Sequence, residues 1–419
     1  MYRVAVIGGK PAPIAGAKDL DIDVTLLHEP GKYDPREVAP HCGDIVDCSI
    51  TDSGAMLAAL LPRHQERPFD LVLTNTEDAA IPVGRVVEAL GMPGTTERTS
   101  RVIKDKTLTR RALENGGLSP VRYRALATVD DALDFLELVG DRVVIKPADG
   151  VASLQIHVAE TPEQASTAWK QLQDAGYRSV IAEEYLEGPV VSVDSFSHQG
   201  RHIVFGMSEY QMNELFVEWE VSTISDAAWG HRDELRAMTA QLLDAVGLTD
   251  GPAHSEYVLT PEGPRVLETH NRLAGSGAPE LVRRATGHSL GRMFLTVPLG
   301  IDKLPDASPD PIAGAAIRFF TPPPGTITDI TGITGIEQAG VPVLRLPRGE
   351  RAPHIIPYLG ELTEAEVAVV LTKHEGDRVS ALNSVKDCDN GYVIATGSDR
   401  RAAVARCAEV IDRIRFHTS

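Results

Sequence analysis

Glu256 and Glu268 flank the turn Thr260-Pro261-Glu262-Gly263, between two strand-like runs. A three-residue hairpin loop over Pro261–Gly263, with Gly263 supplying the left-handed conformation, sets Glu256 opposite Glu268 and Val258 opposite Val266 on one packed face. Two carboxylates about 4.5–5.5 Å apart at Cβ destabilise a strand pair on their own. A divalent cation between them reverses the sign, and oxygen donors without cysteine select a hard ion, Mg²⁺ first and Mn²⁺ second. A register displaced by one residue, or a solvated face, fits the same residues.

Lys146 ends the strand-like run Val143–Lys146 and is followed by Pro147-Ala148-Asp149-Gly150-Val151-Ala152-Ser153. A lysine leaving a strand ahead of a small-residue turn can set its ammonium on a phosphate while the turn's N–H groups approach closely. The spacing is not that of a Walker A loop, and an ordinary surface turn is the plainer reading. Ile181–Gly188 ends another strand with Glu183, Glu184, Tyr185 and Leu186. Such a hinge can offer backbone groups to the edge of a base and an apolar wall to its face; an edge strand running into a turn explains it equally. No Ser/His/Asp or Cys/His spacing supports nucleophilic catalysis.

These groups need elements to hold them. Arg3–Ile7, Asp23–Leu27 and Phe69–Thr74 read as buried strands, with helices between them and around Ile81–Leu90, the alternation of a doubly wound parallel unit. Gly8-Gly9 lacks the G-x-G-x-x-G spacing, which counts against a dinucleotide site and a nicotinamide oxidoreductase. A second unit starts near Leu118, with strand Val143–Lys146, helix Pro162–Ala175 and strand Ser179–Glu184. Arg201–Ser208, Glu256–Leu259 and Arg265–Glu268 then read as antiparallel strands and Asp306–Asp310 as a linker. A closing helix spans Arg400–Arg415, with Val404, Cys407, Ala408, Ile411 and Ile414 on one face.

The chain has 419 residues, 59 acidic against 41 basic, for a formal charge of -18. That balance repels phosphate backbones and anionic lipid, which argues against nucleic-acid and membrane-surface partners. No run of about 18 apolar residues predicts a membrane span. Cys42, Cys48, Cys388 and Cys407 form neither a CxxC pair nor a zinc spacing and fit reduced thiols. The apolar N-terminal run reads as a buried strand rather than a signal peptide, so a cytoplasmic location is expected. Only 10 residues are lysine, and three of them are Lys104, Lys106 and Lys146.

Taken in order along nearly the whole chain, these features resemble the ATP-grasp superfamily. The likeness is to its carboxylate–amine ligase branch, which includes the L-amino acid (dipeptide) ligases and carnosine synthase. Ile103-Lys104-Asp105-Lys106 resembles the family's Asp-Lys helix, Val144-Ile145-Lys146-Pro147 its second ATP lysine, Gly150–Ser153 its phosphate loop and Glu183–Gly188 its adenine hinge. Glu256 and Glu268 fall on its magnesium positions, and Arg272, four residues after the second, on its E-x-N-x-R motif. Arg318-Phe319-Phe320 to Gly325 and Gly391–Gly397 resemble the C-terminal part of the amino-acid ligase branch.

The resemblance implies an α/β ATP-grasp fold. Residues 1–100 would form a doubly wound, Rossmann-like preATP-grasp domain, and 101–305 an ATP-grasp domain with a mobile α+β lid over 118–188. Residues 306–419 would form a C-terminal α+β section that completes the catalytic domain. It also implies an ADP-forming ligase that activates an amino acid's carboxylate as an acyl phosphate and couples it to an amine, using ATP and Mg²⁺. In that scheme Lys106, Lys146, Gly150, Ser153, Glu183, Glu184, Tyr185 and Leu186 bind ATP. Glu256 and Glu268 hold the metal, and Arg272 stabilises the transferring group. His270, Asn271 and Glu218 are the residues to face substrate, Glu218 toward an ammonium group; a solvated strand face is the plain alternative for Glu218 and Glu220. Small-molecule carboxylates and amines are the partners, and a homodimer is admissible.

Three positions depart from the family pattern. His270 stands where the motif has Asn, with Asn271 one place late; Val190 replaces a ribose-binding glutamate, for which Glu187 or Asp194 could substitute; the phosphate loop has one glycine. Both lysines and both magnesium glutamates are kept. The rival readings are a carboxylase or formyl-type ATP-grasp enzyme activating bicarbonate or formate, and a nucleotide-binding protein without chemistry.

Overall fold

The computed structural model describes residues 1–8, 14, 17–31, 38–150, 154–348, 362 and 365–419. Its front sheet is parallel and ordered β3-β2-β1-β4, from β1 (Tyr2–Ile7), β2 (Ile22–His28), β3 (Asp44–Asp47) and β4 (Leu71–Thr74). The inner strands are near-continuous buried apolar runs, as strands covered on both faces must be. β3, Asp-Ile-Val-Asp, sits at the sheet edge, and its polar ends hide it from a sequence reading.

A small antiparallel sheet follows, ordered β5-β8-β6-β7, from β5 (Tyr123–Leu126), β6 (Val143–Pro147), β7 (His157–Ala159) and β8 (Val180–Glu184). Helices Val129–Val139 and Pro162–Asp174 open with capping boxes at Thr128 and Thr161 and bury Phe135 and Leu172 against it.

The largest sheet has nine strands in the order β13-β12-β9-β10-β11-β14-β19-β17-β16. Its first half comprises β9 (Val190–His198), β10 (Arg201–Met212), β11 (Glu218–Thr223), β12 (Gly251–Thr260) and β13 (Gly263–His270). β14 (Gly314–Phe319), β16 (Val343–Arg345), β17 (Val367–Leu371) and β19 (Gly391–Gly397) extend it, so the C-terminal residues build on the sheet that carries Glu256 and Glu268. β15 (Gly325–Thr331), β18 (Arg378–Val379) and β20 (Arg415–Thr418) form a separate sheet. The closing helix covers Arg400–Arg413 and ends sooner than its apolar stripe suggests, because Ile414 is extended and Arg415–Thr418 pair with β15. The four cysteines are free, and no helix among the described residues is long and apolar enough to cross a membrane.

The β12–β13 hairpin differs from the sequence expectation. Thr260 pairs with Gly263, so the loop is the two residues Pro261-Glu262, not three. Continued without a break, that register sets Glu256 against Leu267. A one-residue bulge at Leu267 restores the pairing of Glu256 with Glu268. Val258 consequently faces Arg265, and Val266 pairs with Tyr257 in the core instead of sharing a face with Val258.

Candidate active site

A cavity of about 460 Å³ lies between the small sheet and the β12–β13 end of the large one. Lys106, Lys146, Gly150, Glu256 and Glu268 line it together with Glu183, Glu184, Tyr185 and Leu186. Val144, Ile156, Val190 and Leu267 supply apolar wall. Ser153, with Val151 and Ala152, lies outside the described residues.

Lys106 opens the helix Lys106–Asn115, whose N-terminus is capped by Asp105; the aspartate side chain accepts from Thr107 N–H at 2.8 Å and Leu108 N–H at 3.2 Å. Lys106 Nζ thereby reaches Glu268 Oε2 at 2.9 Å and Gly150 O at 3.0 Å. Lys146, on β6 beside β8, sits 2.7 Å from Glu183 Oε2, and Arg110 Nε donates to Glu183 Oε1 at 2.6 Å. Burial pushes the Glu183 carboxyl up, but Arg110 and Lys146 outweigh it and hold it down to about 2. The Glu183 side chain is thus the counter-ion of two buried cations. Glu184 pairs with Arg122 at 2.7 Å, and the Tyr185 ring lies 4.3 Å under the Arg142 guanidinium. Gly188 closes this hinge with φ +150°; a Cβ there would stand 2.2 Å from Leu259 O, so only glycine lets the hinge press on β12.

Glu256 and Glu268 face each other, and His254 and His270, two residues along each strand, are also direct partners. His270 Nε2 sits 3.0 Å from Glu268 Oε1, and its Nδ1 3.5 Å from Glu77 Oε1. His254 Nδ1 sits 2.9 Å from Asp194 Oδ1, and its Nε2 3.5 Å from Glu256 Oε1. Burial would lower His254, yet Asp194 and Glu256 push it up to about 10. Burial opposes ionisation of Glu268 as well, but Lys106 and His270 hold its carboxyl well below the usual range. Among the described residues no three His, Cys, Asp or Glu side chains converge into a metal cage. Two adjacent carboxylates are what a hard ion needs when water and phosphate oxygens complete its shell, so the donor set fits Mg²⁺.

Arg272 Nε donates to Glu77 Oε2 at 2.9 Å, and Lys104 Nζ sits 2.8 Å from Glu77 Oε1. Burial would raise the Glu77 carboxyl, but His270, Arg272 and Lys104 hold it far below its ordinary value. Asn271 does not join this group; it donates to Ser100 Oγ at 3.3 Å and lines a second cavity of about 210 Å³ behind the strand. Glu218 and Glu220 are not on a solvated face. Glu220 is 4% exposed and pairs with Arg318 at 3.6 Å, while Glu218 Oε2 is buried without a hydrogen-bond partner. Burial, then Glu256, pushes the Glu218 carboxyl up to about 7. Of the carboxylates near Val190, Glu187 is 84% exposed beside Arg142 and Asp194 is held by His254; neither lines the cavity. Glu77 and Arg110 escaped the sequence reading, since their partners lie far along the chain and no motif marks them.

The family described as ATP-grasp N-terminal domain matches residues 14–94, and the ATP-grasp domain matches residues 139–280. The L-arginine-specific L-amino acid ligase of Bacillus subtilis is 24% identical over 311 residues, covering 71% of this chain and 74% of that protein. The alanine–anticapsin ligase of Bacillus subtilis strain 168 is 20% identical; the match covers 54% of this chain and 53% of that protein, about half its length. The crystal structure of the L-amino acid ligase from Bacillus licheniformis shares the fold with a TM-score of 0.79 at 20% identity, covering 100% of this chain and 99% of that one. With both ATP-grasp family matches in order along it and this fold throughout, the chain belongs to the ATP-grasp superfamily and has amino acid ligases among its relatives.

Proposed function

We propose that the protein is an ADP-forming carboxylate–amine ligase that activates an amino acid's carboxylate as an acyl phosphate and joins it to an amine, giving an amide or dipeptide. The observation that carries this is one cavity lined by Lys106 and the buried Lys146 and, beside them, the opposed pair Glu256 and Glu268. Val144, Ile156, Leu186, Val190 and Leu267 form an apolar slot for the base, and Lys106 and Lys146 set their ammonium groups on the phosphates. Glu256 and Glu268 would hold Mg²⁺, which neutralises charge on the terminal phosphates. Arg272, held by Glu77 through Nε and donating from Nη1 to Leu273 O, would turn its Nη2 side to the transferring phosphoryl. The substrate carboxylate oxygen bonds to the γ-phosphorus as the bond to ADP breaks; the amine nitrogen then attacks the acyl carbon and phosphate leaves. Water would destroy the acyl phosphate, so the small sheet must close over the site during turnover.

Incubation with ATP, Mg²⁺ and pools of amino acids should release ADP and give a product lighter than its substrates by one water. No ADP with any pool, release that needs only bicarbonate, or AMP and pyrophosphate in place of ADP would overturn the reading.

Glu218 offers a buried, unpartnered oxygen to the substrate's ammonium group. Its carboxyl is raised from 4.5 to about 7, so it is neutral below that pH and anionic above it. Affinity for the amino acid should therefore rise from pH 6 to pH 8, and Glu218→Gln should flatten that rise and lift KM about tenfold or more at pH 8. The folded state binds the extra proton between 4.5 and 7, so stability falls across that window in the wild type and not in the variant. Calorimetric unfolding against pH checks the second effect; an unchanged KM profile would remove Glu218 from the ammonium role.

A further inference from the structure

The bulge that brings Glu268 opposite Glu256 is held from outside the sheet. β13 is the outer strand of its sheet, so its outward-facing backbone groups have no ladder partner on either side of the bulge, and buried N–H and C=O groups need partners. Two side chains from another part of the chain supply them. Ser119 Oγ accepts from Val266 N–H at 2.7 Å; Arg110 donates from Nη1 to Val266 O at 2.7 Å and from Nη2 to Leu267 O at 3.3 Å. Both residues are buried, Arg110 at 3% exposed and Ser119 at 6%. Arg110 lies one turn after Lys106 on the same helix, and Lys106 touches the carboxylate that the bulge positions.

The consequence is geometric. Successive residues of a regular strand point to opposite faces, so in the unbroken register Leu267 would oppose Glu256 and Glu268 would turn to the side of buried Ser255. With the bulge, Leu267 and Glu268 both line the cavity, an apolar wall and a carboxylate side by side. We propose that Arg110 and Ser119 are positioning residues that clamp this bulge, and so place Glu268 on the cation-holding face and Leu267 on the wall of the base slot. The functional half of this statement rests on the ATP-binding reading of the cavity; the backbone half does not. A competing account makes Arg110 only the counter-ion of Glu183, in which case lysine would serve as well.

The test uses the full chain with Ser119→Ala and Arg110→Lys, which keeps the charge toward Glu183 and loses the fork that reaches two carbonyls. Amide hydrogen exchange of Arg265–Glu268 should speed up about tenfold or more in each variant, with the Val180–Glu184 strand unaltered. The gain in affinity for a non-hydrolysable ATP analogue on adding Mn²⁺, followed by electron paramagnetic resonance of the free ion, should fall about tenfold, while affinity without metal changes less than about twofold. Wild-type exchange in both variants overturns the clamp. Faster exchange with an undiminished Mn²⁺-dependent gain overturns the link to Glu268. A wild-type chain that binds no nucleotide overturns the ATP reading instead, and exchange alone then judges the clamp.

Discussion

Replacing Glu268 by glutamine should cut amino-acid-dependent ADP release about 10³-fold, a larger loss than removal of one ligand charge alone would bring. Gln keeps the shape and removes the anion. Lys106 Nζ, 2.9 Å from that side chain, then loses its carboxylate, and His270 Nε2, 3.0 Å from it, is left with Glu77 at 3.5 Å alone, so positive charge is in excess at the proposed cation site. The site changes from one that attracts Mg²⁺ to one that repels it, so excess Mg²⁺ should recover only part of the rate. Glu256→Gln should be milder, because its neighbour His254 retains Asp194 at 2.9 Å as a second counter-ion. Steady-state ADP release across a Mg²⁺ titration, with circular dichroism to show that each variant folds, checks both. Activity above about a tenth of wild type in Glu268→Gln would break the metal assignment.

What the sequence made legible was local. The paired glutamates, Lys146 before its small-residue turn and the hinge at Glu183–Leu186 each sit in a run of a few residues whose order alone suggests their use, and the structure puts them around one cavity. What stayed hidden depends on distant parts of the chain. Arg272 meets Glu77 across 195 residues, and Arg110 meets Val266 across 156. The bulge at Leu267 shifts a register by one residue without altering composition or alternation enough to be read. It also explains why the expected three-residue loop gave the right partner for Glu256 and the wrong one for Val258: the extra residue is real, but it sits within β13 and not in the turn. Glu218 was ambiguous because acidic residues in a strand are usually solvated; its burial comes from packing that the sequence does not display.

In the proposed role, where the guanidinium acts on the transferring group and does not line the cavity, Arg272→Met should lower kcat about 10²–10³-fold with KM for ATP within about twofold. Lysine should not restore the rate. A single ammonium cannot keep the 2.9 Å bond to Glu77 and also present a planar pair of donors to a phosphoryl group. Glu77 gives the stronger test of how Arg272 is held. Its carboxylate receives Arg272, Lys104 and His270, and those cations keep it ionised against burial. Glu77→Gln should therefore cost about 10–10²-fold in kcat by releasing Arg272 from its orientation and leaving three cations short of a counter-ion. If Glu77 acts through Arg272, the double variant Glu77→Gln/Arg272→Met should be scarcely slower than Arg272→Met alone, because the orientation it supplies no longer has an object. Losses that multiply in full would mean that Glu77 works on the site independently. Its role would then lie with His270 and the Glu268 carboxylate behind it, and the defect would appear in the Mg²⁺ titration before it appeared in kcat.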